Sequence, residues 1–309
     1  MDLYLSAIPP LNFDSVARSH GWIQLPPLDY TRDGERGIPT LITVLRFERP
    51  DEPPLIAEVT IRPAAEDAEK PGVVVTTDVP RIPVIVETLK KRVTWMLGLE
   101  QDLSDFFELA HGEPRLAHVE PQAQGRILRS PTLFEDVVKT ILTTNTSWSG
   151  TVRMIEALVN QLGSPLPGDR DRRAFPTPAQ IAAVDEIFLR EKTKLGYRAP
   201  RIINLARDVA AGNLDLEVLK DPSLESSEVR EALRAIKGVG SYAAASLMTM
   251  LGHFGDIPVD SWARTQVSRF WHNGESVTQD QVREAFAAWG DWQALVYWFW
   301  NWDKAPDQE

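Results

Sequence analysis

The sequence predicts an α+β protein, with an antiparallel sheet near the N-terminus and a larger, mostly helical part behind it. Three observations carry that expectation. Segments rich in Val, Ile and Thr are confined to the region before about residue 80. From about residue 131 apolar residues recur at helical spacing almost to the end. The 309 residues are 43% hydrophobic and 25% charged, a globular balance long enough for about two domains. The shift in pattern puts the expected boundary at 120/121, giving a sheet-plus-helix domain (1–120) and a helical domain (121–309).

The strands are expected at Pro39–Glu48, Leu55–Arg62 and Gly72–Thr77, each bounded by Pro, Gly or Asp. In the first of these, Ile42, Val44 and Arg46 alternate with Thr43, Leu45 and Phe47, the pattern of a sheet with one covered face. Val84, Val86, Leu89, Val93 and Met96 then repeat as one helical stripe over 84–99. The helical part opens at Pro131, where Leu133, Phe134, Val137, Val138, Ile141 and Leu142 share a face. A second helix runs over 151–162 and stops at Gly163. The segment 165–173, with two prolines, Gly168 and a charge cluster, reads as a mobile surface loop. Helices follow over 178–184, 185–195 and 199–211, on both sides of Lys237–Gly240, and over 260–271, 278–288 and 292–302.

Composition removes several classes of chemistry. Without cysteine there is no disulfide, no thiolate metal site and no cysteine nucleophile. The five histidines stand singly and no phosphate loop precedes a Lys-Ser/Thr pair, so neither a metal nor a cofactor is expected. MDLYLSAIPP lacks a basic patch followed by an apolar core, and no apolar run reaches the roughly 18 residues of a membrane span. A soluble intracellular protein with no membrane partner is the expectation. The net charge of −11 argues against a generic polyanion binder. The surplus is uneven: 20 acidic and 12 basic residues lie in 1–120, against 24 and 21 in the remainder. Six basic residues and one acid fall between Ile187 and Arg207, which leaves room for a locally basic surface.

The most informative segment is Leu233–Ala245, LRAIKGVGSYAAA. Gly238 can take positive φ and end one helix, and a second begins at Ser241, favoured by the three alanines that follow Tyr242. Two glycines around Val239 leave backbone N–H groups pointing outward beside a helix N-terminus, which is an anion site suited to phosphate, with Lys237 adding a cation. An ordinary helical hairpin with a glycine cap is the alternative. Some 20 residues on, Ile257-Pro258-Val259-Asp260-Ser261-Trp262 opens another helix.

Together these segments resemble the helix–hairpin–helix (HhH-GPD) DNA glycosylase superfamily. Leu195-Gly196-Tyr197-Arg198-Ala199 resembles its 8-oxoguanine branch, and Arg126–Asn145 resembles the entry to the catalytic core shared with the 3-methyladenine branch (3-methyladenine DNA glycosylase II). The resemblance spans about 121–302 and implies a helix–hairpin–helix core behind a sheet domain; zero cysteines exclude the branches that carry an iron–sulfur cluster. It implies excision of a damaged purine, alkylated or oxidised, from duplex DNA in base excision repair. Asp260 corresponds to the catalytic aspartate, although Asp before Ser261 is also an ordinary helix cap. Lys237, Gly238, Val239 and Gly240 correspond to the phosphate-gripping hairpin. Asn145 corresponds to the residue that fills the gap left by the flipped base, and Tyr197 with Arg198 to the wedge that meets the opposite strand. Tyr242, Ser246, Tyr297 and Trp298 fall at the base pocket.

Bifunctional members carry a Schiff-base lysine where this chain has Tyr242, so a monofunctional enzyme without lyase activity is the expectation. A glycosylase/lyase and a non-catalytic DNA-binding protein are the alternatives. The implied partner is double-stranded DNA with a damaged base, engaged by a monomer in the cytoplasm, at the nucleoid if the source is bacterial. Seven of the ten tryptophans lie between Trp262 and Trp302, and most of that stripe is expected to pack as core.

Overall fold

The computed structural model describes residues 1–34, 37–49, 51–65 and 68–303. The chain forms β1 (Asp2–Ser6), α1 (Phe13–Ala17), β2 (Asp29–Asp33), β3 (Ile38–Arg49), β4 (Glu52–Pro63) and β5 (Gly72–Thr77). Helices α2 (Pro83–Leu97), α3 (Ser104–His111), α4 (Leu133–Thr143) and α5 (Trp148–Leu162) follow, then a short hairpin of β6 (Pro165–Leu166) and β7 (Asp169–Arg173). The rest is α6 (Pro178–Ala182), α7 (Glu186–Glu191), α8 (Ala199–Ala210), α9 (Ser226–Ala235), α10 (Ser241–Leu251), α11 (Ser261–Trp271), α12 (Gln279–Phe286) and α13 (Gln293–Phe299). The α+β expectation holds.

Two compact units result: Met1–Asp102 with Arg126–Val218, and Leu103–Gly125 with Leu219–Glu309. This division differs from a single boundary at 120/121. Residues 103–125 pack with the C-terminal helices: Phe106 stacks on Trp292 at 5.7 Å, and the guanidinium of Arg115 lies 4.9 Å from the centre of the Phe270 ring. Composition changes near residue 120, but packing follows the apolar surface of α3.

In the first unit the sheet order is β1-β5-β4-β3-β2, antiparallel throughout. Leu41, Thr43, Leu45 and Phe47 are buried on one face of β3, while on the other Val44 is buried and Ile42 and Arg46 are half-covered. Helix α2 buries Leu89, Val93 and Met96 of the expected stripe, but its first turn is rotated by one residue, so that Ile85 is buried while Val84 is 52% exposed; the helix ends at Gly98 with φ of 59°. Burying each such side chain is worth about 1.5–3 kcal/mol. Beside that cap, buried Arg126 donates to four backbone carbonyls, those of Ile8, Pro10, Gly98 and Gln101. It therefore fixes the N-terminal segment to the start of the helical chain.

Helix α4 is buried on every side, charged residues included. Lys139 Nζ lies 2.7 Å from Glu135 Oε1 and donates to Ser130 Oγ, while Asp136 accepts from Trp22 Nε1 at 2.8 Å and the Ser130 amide at 2.9 Å. Burial pushes both carboxyls above their ordinary values, and these partners pull them back. The segment expected as a mobile loop is instead the β6–β7 hairpin, turning at Gly168 (φ 84°), with Arg172 paired to Glu58 of β4. Its second strand is almost wholly charged, which conceals the strand from a hydrophobicity pattern.

Candidate active site and nucleic-acid interface

The hairpin in the second unit is built as the glycines dictate. Helix α9 ends at Ala235, and Ile236 and Val239 turn inward, 7% and 6% exposed, to pin the turn to the core. Gly238 sits at φ 105°, where a side chain is strained. Gly240 differs. Its φ is −86°, and an added Cβ would meet nothing within 4 Å, so the free protein has no steric need for glycine there. No side chain caps α10 at Gly240, and the amides of Gly238 and Gly240 donate to no described residue. With the unsatisfied N–H groups of the first turn of α10, these amides form an open donor surface beside exposed Lys237.

Tyr242 and Ser246 share the next face of α10. The Ser246 hydroxyl donates to the Tyr242 carbonyl at 3.0 Å, so its proton is spent within the helix. It keeps only acceptor capacity. Asp260 caps α11: Oδ1 accepts from the Ala263 amide at 2.7 Å. The side chain is exposed, and its second oxygen accepts from no described residue. Capping thus holds one oxygen and leaves the other for a ligand.

The phenol of Tyr297 on α13 is 7% exposed and is pushed above the ordinary tyrosine range. Burial is the main cause, and the charges of Asp260 and Tyr242 add to it, so Tyr297, Tyr242 and Asp260 are electrostatic neighbours. Trp298, one residue on, is turned about 100° around the helix from Tyr297. The sequence reading missed Trp262. It is 47% exposed, two residues from Asp260, with its ring edge-on to Tyr297 at 6.3 Å. The signal was present, an aromatic in the first turn after the capping Asp, but it was absorbed into the tryptophan stripe. Of that stripe, Trp271, Trp289, Trp300 and Trp302 gather around Phe286 at 5.4–6.1 Å, but only Trp300 is fully buried and Trp271 remains 39% exposed, so the stripe is a partly open aromatic cluster.

The first unit holds the remaining expected residues. Asn145 follows α4 at φ 50°, a left-handed conformation, with its side chain exposed. Tyr197, 47% exposed, rises from a turn made by Lys194 (φ 59°) and Gly196 (φ 56°). Arg198 differs from the exposed residue expected: it is only 6% exposed and donates inward to the carbonyls of Thr144 and Asn145. The guanidinium also lies 4.4 Å from the centre of the Tyr197 ring. A buried cation needs partners, and here the partners are the backbone of the Asn145 turn. Arg198 therefore braces Asn145 and Tyr197 into one assembly. Of the basic stretch, Lys192, Lys194 and Arg207 are exposed, whereas Arg190 pairs with Glu186 at 2.5 Å.

Among the described residues no group of three or more His, Asp or Glu is placed to hold a metal ion, and no helix is long and apolar enough to cross a membrane. Residues 138–291 match the family described as HhH-GPD superfamily base excision DNA repair protein. Among curated relatives, a "probable N-glycosylase/DNA lyase" of Methanothermobacter thermautotrophicus is 23% identical over 228 residues, 66% of this chain and 71% of that protein. The 3-methyladenine DNA-glycosylase of Archaeoglobus fulgidus shares the fold with a TM-score of 0.70 at 20% identity, over 98% of each chain. An 8-oxoguanine glycosylase/lyase of Clostridium acetobutylicum, solved with double-stranded DNA, shares it at 0.65 and 20% identity, over 92% of this chain and 91% of that one.

Proposed function

Since residues 138–291 place this chain in the HhH-GPD superfamily of base excision DNA repair proteins, we propose that it is a monofunctional DNA glycosylase acting on a damaged purine in duplex DNA. The observation that carries the reading is the state of Asp260, one oxygen fixed by its own helix and the other open, with Tyr242 and Tyr297 as neighbours. Breaking an N-glycosidic bond leaves positive charge on the sugar. A carboxylate held in place stabilises that charge without reorganising, and it can accept a proton from the water that attacks the anomeric carbon. The departing base takes the bonding electron pair, which neutralises a cationic alkylated purine and leaves an uncharged damaged purine to be protonated, and an abasic site remains.

The duplex is held at the hairpin through the outward amides of Gly238 and Gly240, with Lys237 as an added cation. Asn145 fills the space left by the extruded nucleotide, and Tyr197 stacks on the opposite strand, both braced by Arg198. Tyr242 and the exposed Trp262, which rests edge-on against the buried Tyr297, supply aromatic rings near the carboxylate, which suits an electron-poor alkylated purine. Lyase chemistry needs an amine at the sugar. The described lysines of the second unit are Lys220 and Lys237, and Lys237 stands on the α9 side of the turn, five residues before Tyr242.

A second reading, a glycosylase/lyase, is favoured by the names of the Methanothermobacter and Clostridium relatives. One panel separates the two. Duplexes carrying 3-methyladenine, 7-methylguanine, hypoxanthine, uracil or 8-oxoguanine opposite each base are incubated with the protein, with and without alkali and with borohydride. Strand breaks that require alkali, with no borohydride-trapped complex, are the expected result. Trapping would establish the lyase reading, and no product on any duplex would overturn the enzyme.

A further inference from the structure

On the side of α10 away from Tyr242 lies a cleft of about 430 Å³ that the reaction does not use. Its walls are Arg230 and Arg234 of α9, Ser241 and Ala244 of α10, Asp256 of the following loop and Arg283 of α12. Ser241 and Ala244 lie about 60° apart on α10, whereas Tyr242 and Ser246 lie about 130° and 170° from their midline, so the cleft and the Tyr242 face are on different sides of the helix.

The charge of this cleft runs against that of the protein. Three guanidiniums face two carboxylates, Asp256 and Glu284, in a chain of net charge −11. Asp256 is shared by two of them at long range, 3.7 Å from Arg230 and 3.3 Å from Arg283. Arg283 is also bonded to Asp280, and Arg230 makes its other contact with the Met248 sulfur. Arg234 is exposed and has no ion-pair or hydrogen-bond partner among the described residues. The donors of Arg234 are therefore unspent, and those of Arg230 and Arg283 are only partly used. Planar guanidiniums converging on a hydrated cleft fit a tetrahedral oxyanion with several acceptor oxygens. The cleft opens at Ser241, the first residue of the uncapped helix whose amides face outward.

We propose that this arginine cleft holds a further phosphodiester of the DNA strand gripped at the hairpin, extending the contact past the first phosphate. The proposal rests on the reading of the hairpin as a DNA grip. It places the positive charge that an acidic protein needs at one side of the hairpin, where it lengthens the footprint without entering the base pocket. An acidic segment of another protein would be the competing occupant, and the test separates the two.

The experiment measures dissociation constants of the full chain for a duplex carrying a stable abasic analogue, from 50 to 200 mM salt. It compares the wild-type protein with Arg234→Gln, and separately with Lys90→Gln, an exposed cation of α2 outside the basic stretch, as a control for net charge. Arg234→Gln should lower the slope of log K against log salt by about 1, and so should reduce the affinity lost across that range by about threefold. Lys90→Gln should leave it unchanged. A second measurement replaces single phosphates of the lesion strand by neutral methylphosphonates. In the wild type one position beside the hairpin-held phosphate should weaken binding, and in Arg234→Gln that position should become silent. Wild-type binding with an unchanged slope and an unchanged methylphosphonate pattern in Arg234→Gln would overturn the cleft proposal alone and favour the protein partner. Failure of the wild-type protein to bind any duplex would overturn the glycosylase reading beneath it.

Discussion

Gly238 and Gly240 flank one buried valine, yet the structure assigns them opposite reasons for being glycine. Alanine at 238 must occupy φ 105°, outside the regions open to a side chain, at a cost on the order of 1–3 kcal/mol. Alanine at 240 adopts φ −86° and ψ −173° without strain, and its methyl enters open space. Removing glycine where the native backbone suits alanine stabilises by about 0.4–1 kcal/mol, because the unfolded chain loses freedom. That same methyl would stand between the hairpin amides and an approaching phosphate. Losing one hydrogen bond to a charged group, worth about 1.5–3 kcal/mol, weakens binding by roughly tenfold or more. Urea denaturation and titration of a lesion-bearing duplex should therefore separate the two variants. Gly238→Ala loses stability, whereas Gly240→Ala gains slightly and loses affinity. A Gly240→Ala protein that binds DNA as the wild type does would refute the phosphate grip, and one as destabilised as Gly238→Ala would refute the reasoning about the backbone.

Other outcomes follow from the same structure. His20 donates from Nε2 to the Leu128 carbonyl and accepts at Nδ1 from the Trp22 amide, and burial brings its pKa from 6.5 down to about 4. Its folded pKa lies below the unfolded one, so its contribution is complete above about pH 6.5 and is lost as pH falls towards 4; about 3 kcal/mol should disappear in that window, and less in His20→Gln. Lys139→Ala leaves Glu135 buried without its cation and should cost about 3–5 kcal/mol in urea denaturation, with much of it recovered in Lys139→Met paired with Glu135→Leu. Arg198→Met should release the Asn145 turn and slow base extrusion, read by 2-aminopurine fluorescence, while the preference for the opposite base stays as it was. A changed preference would show that the guanidinium reads that base after all.

Much of the fold was legible because β3, β4 and β5 are dense in β-branched residues and the helices carry clear stripes. In the five-stranded sheet the two strands that escaped, β1 and β2, are its edges, short and polar at several positions (Asp2, Ser6, Asp29, Arg32, Asp33). An edge strand is covered less, so it needs less of the pattern that identifies a strand. At the site, Asp260 and the glycine hairpin were legible because caps and positive φ restrict residue type locally. Arg198 was not: a charged residue in a basic stretch reads as surface, and only the fold shows two carbonyls 53 and 54 residues away waiting for its donors. The buried Glu135–Lys139 pair misleads in the same way.

The account turns on Asp260. Asparagine caps a helix as well as aspartate does, so Asp260→Asn should keep α11 and the fold while removing the negative charge. With enzyme in excess over a lesion-bearing duplex, the single-turnover rate of base release should fall by about a hundredfold or more, with the dissociation constant for the duplex little changed. Base release at the wild-type rate in that variant would contradict the account.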